Sequence, residues 1–227
     1  MTCVVAGGRC GEGEVVARRD RAQIDDALHG VRAPPTRRAI IDGMLVVQTD
    51  LADVVLLVPQ PHRDERGLFV RTFDADVFDE HLGVPGAAAA FVQDSQSRSA
   101  RGVIRGMHGR AGRGEAKLVR CGRGAVHDVL VDIRPSSPTF GRAQAFLLDD
   151  EQFHTLYVPP GMLHGFQVLT ESADVCYRID RPHDPTEDVS VHHADPELAI
   201  DWPAPLTLVS ERDAAAGTWA DAVARFA

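Results

Sequence analysis

The sequence predicts an all-β domain, an antiparallel sandwich or barrel with a few short helices, and three observations predict it. From Met44 onward, β-rich runs recur at roughly 8–12-residue spacing, as sandwiches and barrels require. Turn clusters stand between them: Gly112-Arg113-Gly114, Gly122-Arg123-Gly124, Pro135-Ser136-Ser137-Pro138 and Pro159-Pro160-Gly161. Apolar positions alternate with period two, so Val175, Tyr177 and Ile179 would share one face of a strand and Cys176 and Arg178 the other.

Residues 1–43 differ in texture. Gly and Arg dominate there. One short helix is expected at 20–28, closed by Gly30, and a Pro- and Arg-containing loop follows. We expect a poorly ordered N-terminal extension, with Met44 as an alternative start. Strands are then expected at 44–48, 54–58, 68–73, 102–107, 116–121, 125–133, 143–148, 155–158, 165–169 and 174–179. One helix should cover 75–82, with Asp74 as N-cap and Gly83 as C-cap; a second should run from about Asp213 to Phe226. The expected organisation is a β domain over 44–213 and a helical tail over 214–227.

Composition narrows the function. Of the 227 residues, 44% are hydrophobic and 25% charged, ordinary for a globular protein and incompatible with a disordered or fibrous chain. Lys plus Arg number 24 against 33 Asp plus Glu, a net charge of −9 that argues against nucleic-acid binding through the overall field. No apolar run approaches the ~18 residues of a membrane span, and the N-terminus shows no secretory signal pattern. The four cysteines (Cys3, Cys10, Cys121, Cys176) lack CxxC spacing, which reads as free thiols in a reducing cytoplasm.

Against that acidic background, residues 93–117 concentrate Arg98, Arg101, Arg105, Arg110, Arg113 and Lys117, with only Asp94 and Glu115 opposing them. This is a candidate pocket for a phosphorylated ligand, since Arg grips phosphate oxygens in a bidentate fork; a solvated basic loop is the alternative. His108 and His164 come next. The spacing of Pro159, Gly161 and His164 resembles the second half of the metal-binding pattern of cupins. The first half fails, because Gly109 and Arg110 follow His108 where a second histidine is needed, and two isolated histidines do not make a metal site. Without a metal, His108 is either a general base or a hydrogen-bonded core residue. Tyr177 is either core packing with a satisfied hydroxyl or a proton donor facing the barrel interior.

Five stretches carry a resemblance: RDERGLF (63–69), FVQDSQSRSARGVIRGMH (91–108), KLVRCGRGAVHDVLVDIRPSSPTFG (117–141), VPPGMLHGFQVL (158–169), and DPELAIDWP with SERD (195–213). In that order they are similar to the dTDP-4-dehydrorhamnose 3,5-epimerase family. The resemblance implies a cupin-type jelly roll without metal or other cofactor, usually a homodimer, located in the cytoplasm. Its substrate would be a nucleotide-diphosphate 4-keto-6-deoxy sugar, dTDP-linked, in deoxysugar biosynthesis such as that of rhamnose. Carbons 3 and 5 flank the C4 ketone, so either can lose a proton to an enolate; inversion needs a base on one face, an acid on the other and a cation at the oxygen. Carried over by position, His108 is the base, Asp213 its orienting carboxylate, Lys117 the cation and Tyr177 the acid. Arg66, Arg71, Gln93, Asp94, Ser95, Arg105, His164, His183, Asp188 and Arg212 fall at substrate-binding positions. The sequence departs from the pattern in three places. Arg71 replaces a Glu, His183 replaces a Tyr that stacks on thymine, and Gly109-Arg110 replaces an aromatic-Gln pair, which should remove bulk from the pocket wall. Two further readings are related enolate chemistry, isomerisation or dehydration, and a non-catalytic sugar-nucleotide-binding cupin.

Overall fold

The computed structural model describes residues 38–41, 44–82 and 86–226. The expected helix at 20–28, its Gly30 cap, the Gly83 cap and most of the expected extension lie outside the described residues. Strand pairing begins ahead of Met44: β1 (Arg38–Ile41) runs antiparallel to β2 (Met44–Gln48). There follow β3 (Val55–Val58), β4 (His62–Asp64), β5 (Gly67–Phe69), α1 (Ala75–Leu82), β6 (Gln93–Ala100) and β7 (Ile104–Arg110). The second half supplies β8 (Lys117–Arg123), β9 (Ala125–Asp132), β10 (Ala143–Asp149), β11 (Thr155–Val158), β12 (Met162–Val168), β13 (Ser172–Ile179) and β14 (Asp188–Ser190). Two short helices close the chain, α2 (Glu211–Ala214) and α3 (Trp219–Ala224).

These strands form two antiparallel sheets, one of seven strands in the order β1-β2-β3-β11-β8-β13-β6 and one of five, β10-β9-β12-β7-β14. The chain switches sheets repeatedly between β6 and β14, the jelly-roll arrangement the sequence predicts. Val119, Cys121, Leu156 and Val175 of the large sheet meet Val126, Leu130, Phe166 and Val168 of the small one. Truncating Leu130, fully buried there, would cost about 2–5 kcal/mol. Every residue of β9 is buried, because its second face is covered too. Val129 and Val131 pack under Leu198, Trp202, Trp219, Ala222 and Phe226, so the C-terminal segment roofs the small sheet. Helix α1 covers part of the large sheet's outer face, where Val77 and Phe78 pack on Leu57 and Leu118; Asp74 caps it by accepting from the amides of Asp76 and Val77.

Several expectations are corrected. Strand β6 is absent from the expected set because its sequence, QDSQSRSA, is polar on both faces. It survives as a strand at the sheet edge, paired along its whole length with β13. The expected strand at 68–73 shrinks to Gly67–Phe69, in a separate two-stranded hairpin with β4. The expected C-terminal helix breaks in two. Gly217 bridges to Val191, and Thr218 with Asp221 starts α3 afresh through a capping box. Among the described residues, no helix is long and apolar enough to cross a membrane.

Candidate active site

The site begins where β7 and β12 approach closely. Gly106 sits at φ +128°, and a Cβ there would lie 2.5 Å from Gly165 Cα, so only glycine fits both the conformation and the space. The register shifts beside this contact, making His108 and His164 direct cross-strand partners. His108 Nε2 lies 2.7 Å from Asp213 Oδ1. Asp213 is buried on α2, its other oxygen accepts the Gly106 amide at 3.2 Å, and Ser210 caps the helix by accepting the Asp213 amide. An ionised carboxylate only accepts, so Nε2 carries the proton and Nδ1 is the basic nitrogen. Burial lowers the His108 pKa; Asp213 opposes that, and the positive charges of Lys117 and Arg212 add to it, leaving the imidazole neutral near pH 7. Burial would raise the Asp213 carboxyl, but the bonds from His108, Gly106 and Ser210 prevail and hold it low.

A second dyad adjoins the first. His164 Nε2 lies 2.7 Å from Asp128 Oδ2, both side chains buried, and the His164 ring stands edge-on to Tyr177, centroids 6.2 Å apart. Tyr177 projects inward from β13 with Val175. Burial raises its phenol well above the ordinary value, and the neighbouring Ser97 hydroxyl offsets this only in part, so the group is a protonated donor at neutral pH. In the β6–β13 register, Gln93, Ser95, Ser97 and Ser99 fall opposite Ile179, Tyr177, Val175 and Ala173, which puts a polar stripe on the Tyr177 face. Arg105 reaches Ser99 Oγ at 2.9 Å and contributes to the field at Tyr177.

A chain of charges completes the site. Lys117 Nζ lies 3.0 Å from Glu115 Oε1, and Arg110 Nη1 lies 2.9 Å from the other oxygen, Oε2. Arg110 also donates to His183 Nδ1 at 2.6 Å and to the Pro182 carbonyl at 3.1 Å. Asp188 Oδ2 pairs with Arg212 at 2.8 Å and stands 3.7 Å from His183 Nε2. Lys117 and Arg212 both act on His108, so the two ends of this chain flank the imidazole.

The structure thus brings together His108, Asp213, Lys117, Tyr177, Arg105, His164, His183, Asp188 and Arg212, with Gln93 and Ser95 on the same inner face as Tyr177. It does not bring in Asp94, Arg66 or Arg71. Asp94 alternates to the outer face of β6 and pairs with Arg178 at 3.4 Å. Arg66 pairs with Asp64 at 2.6 Å in the exposed hairpin, and Arg71 with Asp74 at 2.7 Å beside α1. The six-cation segment does not form one pocket, because strand alternation divides it: Arg98 pairs with Asp174 on the outer face. Gly109 does not thin the pocket wall either. A Cβ there would meet Leu163 Cδ2 at 2.9 Å and the Met162 carbonyl oxygen at 3.0 Å, in the layer under the C-terminal roof; the change facing the site is Arg110. Sequence reasoning missed Asp128 and Glu115. Asp128 had a signal, a carboxylate inside the otherwise apolar run of β9; Glu115 had none beyond its charge. Among the described residues, no group of three His, Cys, Asp or Glu side chains is placed to hold a metal ion.

A family model described as dTDP-4-dehydrorhamnose 3,5-epimerase matches residues 48–221. The chain is 41% identical over 161 residues to the dTDP-4-dehydrorhamnose 3,5-epimerase of Escherichia coli, covering 70% of this chain and 85% of the relative. It is equally 41% identical, over 158 residues, to a dTDP-4-dehydrorhamnose 3-epimerase of Streptomyces niveus, covering 69% and 75%. Among solved structures, a 3,5-epimerase from Legionella pneumophila in complex with dTDP-4-keto-L-rhamnose superposes with a TM-score of 0.72 at 39% identity, covering 77% of this chain and 92% of that one.

Proposed function

The chain belongs to the dTDP-4-dehydrorhamnose 3,5-epimerase family, and from that premise we propose that it inverts C3, C5 or both of a dTDP-linked 4-keto-6-deoxy sugar. The reaction class is isomerisation through an enolate, within deoxysugar biosynthesis. One observation carries the reading: a neutral imidazole backed by a buried carboxylate is the cross-strand partner of His164, whose ring stands against a phenol held protonated by burial. Lys117 supplies positive charge to the same space.

Each group has a step. His108 Nδ1 removes the proton from the carbon beside the ketone, and Asp213 stabilises the imidazolium that results. Lys117 faces the C4 oxygen as it becomes an oxyanion; one such donor is worth about 10²–10³ in rate. Tyr177 returns a proton to the opposite face of the enolate, inverting the centre, and then recovers a proton from solvent as His108 releases its own. Arg105, Gln93, Ser95, His164, His183, Asp188 and Arg212 hold the sugar nucleotide around this centre.

Two further parts of the reading concern assembly and location. A homodimer is supported by the β4–β5 hairpin, which leaves Leu68 43% and Phe69 70% exposed outside both main sheets, beside Arg66 and Arg71; a second protomer's site would give these residues a ligand. A nucleotide-linked substrate supports a cytoplasmic enzyme. The experiment is solvent exchange. Incubating dTDP-4-keto-6-deoxyglucose with the protein in deuterated water should place deuterium at C3, C5 or both, with inverted configuration at the labelled centre. Absence of label at both carbons refutes the reading.

A further inference from the structure

Lys117 does not own the carboxylate nearest to it. Glu115 offers one oxygen to Lys117 Nζ at 3.0 Å and the other to Arg110 Nη1 at 2.9 Å. All three side chains are largely withdrawn from water, Arg110 at 6%, Glu115 at 8% and Lys117 at 13% exposure. One negative charge is therefore shared between two cations in a space where solvent screens little. The other contacts of Arg110 fix where its guanidinium stands: the Pro182 carbonyl at 3.1 Å, His183 Nδ1 at 2.6 Å and Asp188 Oδ1 at 3.8 Å. The group cannot swing away from Glu115 without abandoning the Arg181–Glu187 loop.

We infer that Arg110 is a positioning residue for the epimerisation: by taking half of the Glu115 carboxylate, it keeps the Lys117 ammonium aimed at the substrate oxygen instead of folded into a closed ion pair. This inference rests on the role proposed above for Lys117. Arg110, Glu115 and Lys117 together carry a net charge of +1, the charge needed at the oxyanion. Without Arg110, Glu115 and Lys117 sum to zero, and both carboxylate oxygens are free to chelate the ammonium. The rate then falls at the chemical step; substrate binding, spread over seven groups of which Arg110 meets only His183 and Asp188, changes by a smaller factor. Arg110 also leaves a signature on its far side. A guanidinium has donors only, so the nitrogen it meets on His183 is an acceptor, and the neutral ring must carry its proton on Nε2.

The test compares Arg110→Gln, Arg110→Lys and the double variant Arg110→Gln/Glu115→Gln, using dTDP-4-keto-6-deoxyglucose in deuterated water. Arg110→Gln should lose about 10- to 100-fold in kcat with KM within about threefold, part of the 10²–10³ assigned to an oxyanion donor. Arg110→Lys, which keeps the charge, and the double variant, which removes both members of the pair, should each return kcat to within about threefold of the parent. In nitrogen-15 spectra, the His183 ring should be the Nε2–H tautomer in the parent and lose that preference in Arg110→Gln. An unchanged kcat in Arg110→Gln, a loss confined to KM, or no recovery in the double variant overturns the inference. Should Arg110→Gln not fold, the other two variants decide: a tenfold loss of kcat in either overturns it. A parent that exchanges no solvent deuterium overturns the proposed function instead.

Discussion

Replacing Asp213 by Asn should damage catalysis more than replacing it by Ala, although Asn is the gentler change to the fold. Asp213 receives two donors, the Gly106 amide at 3.2 Å on one oxygen and His108 Nε2 at 2.7 Å on the other. An Asn side chain has a single oxygen and cannot serve both. Its NH₂ cannot face the fixed backbone N–H, so the oxygen stays with Gly106 and the NH₂ turns to His108. That forces Nε2 to accept and moves the ring proton to Nδ1, the atom that must act as base. The expected loss in kcat is the whole general-base contribution, about 10²–10⁴, with KM nearly unchanged because Asp213 is buried behind the imidazole. Ala imposes no tautomer, so part of the ring population keeps Nδ1 free and the loss is smaller. It leaves the Gly106 amide without its acceptor, at about 1–3 kcal/mol, which for a domain of this size lowers Tm by about 2–12 °C. Initial rates of deuterium incorporation by proton NMR, with nitrogen-15 spectra of His108 and thermal melts, measure all three quantities. A kcat for Asp213→Asn equal to or above that of Asp213→Ala, or an Nε2–H ring in Asp213→Asn, refutes the reasoning.

Other outcomes follow from the same geometry. Tyr177→Phe should still wash deuterium into the starting sugar, because His108 remains, but should form inverted product about 10²–10⁴-fold more slowly; equal loss of both would place the phenol outside the second half-reaction. The acid limb of kcat/KM should have its midpoint below the ordinary imidazole value of 6.5, because burial and the charges of Lys117 and Arg212 outweigh Asp213. Activity rises as His108 loses its proton, so a midpoint at or above 6.5 contradicts that balance. The phenol, raised above its ordinary 10.0, should impose no alkaline limb below that pH. Lys117→Met should lower kcat about 10²–10³-fold in the same rate measurement. Gly106→Ala should destabilise by about 2–5 kcal/mol, from a positive φ and a backbone collision at 2.5 Å, read by denaturant titration.

Much of this was legible in the sequence. The core strands showed themselves as largely apolar runs bounded by turn residues: β2 and β11 fall at the expected residues, and β9 and β13 within one or two. The polar edge strand β6 escaped, since pairing with β13 rather than burial of an apolar face holds it in the sheet. The break before α3 escaped because a Gly-Thr pair inside a weakly apolar run reads equally as helix interior and as a cap. For the site, motif order led to His108, Asp213, Lys117 and Tyr177, residues from three different strands and one helix. What the sequence could not supply was direction. Asp94 and Ser95 are neighbours in sequence, yet they face opposite sides of β6, and only the pairing of Asp94 with Arg178 settles which side Asp94 takes. Gly109 and Arg110 are likewise adjacent, and only the second faces the cavity. The sharing of Glu115 between two cations is a tertiary fact with no trace in residue spacing.

The most direct measurement is a structure of the protein with a dTDP-linked 4-keto-6-deoxy sugar bound. The C4 oxygen should lie within hydrogen-bonding distance of Lys117 Nζ, with His108 Nδ1 and Tyr177 Oη on opposite faces of the sugar ring, each near C3 or C5. A ring bound with both groups on one face, or with its ketone turned away from Lys117, contradicts the account.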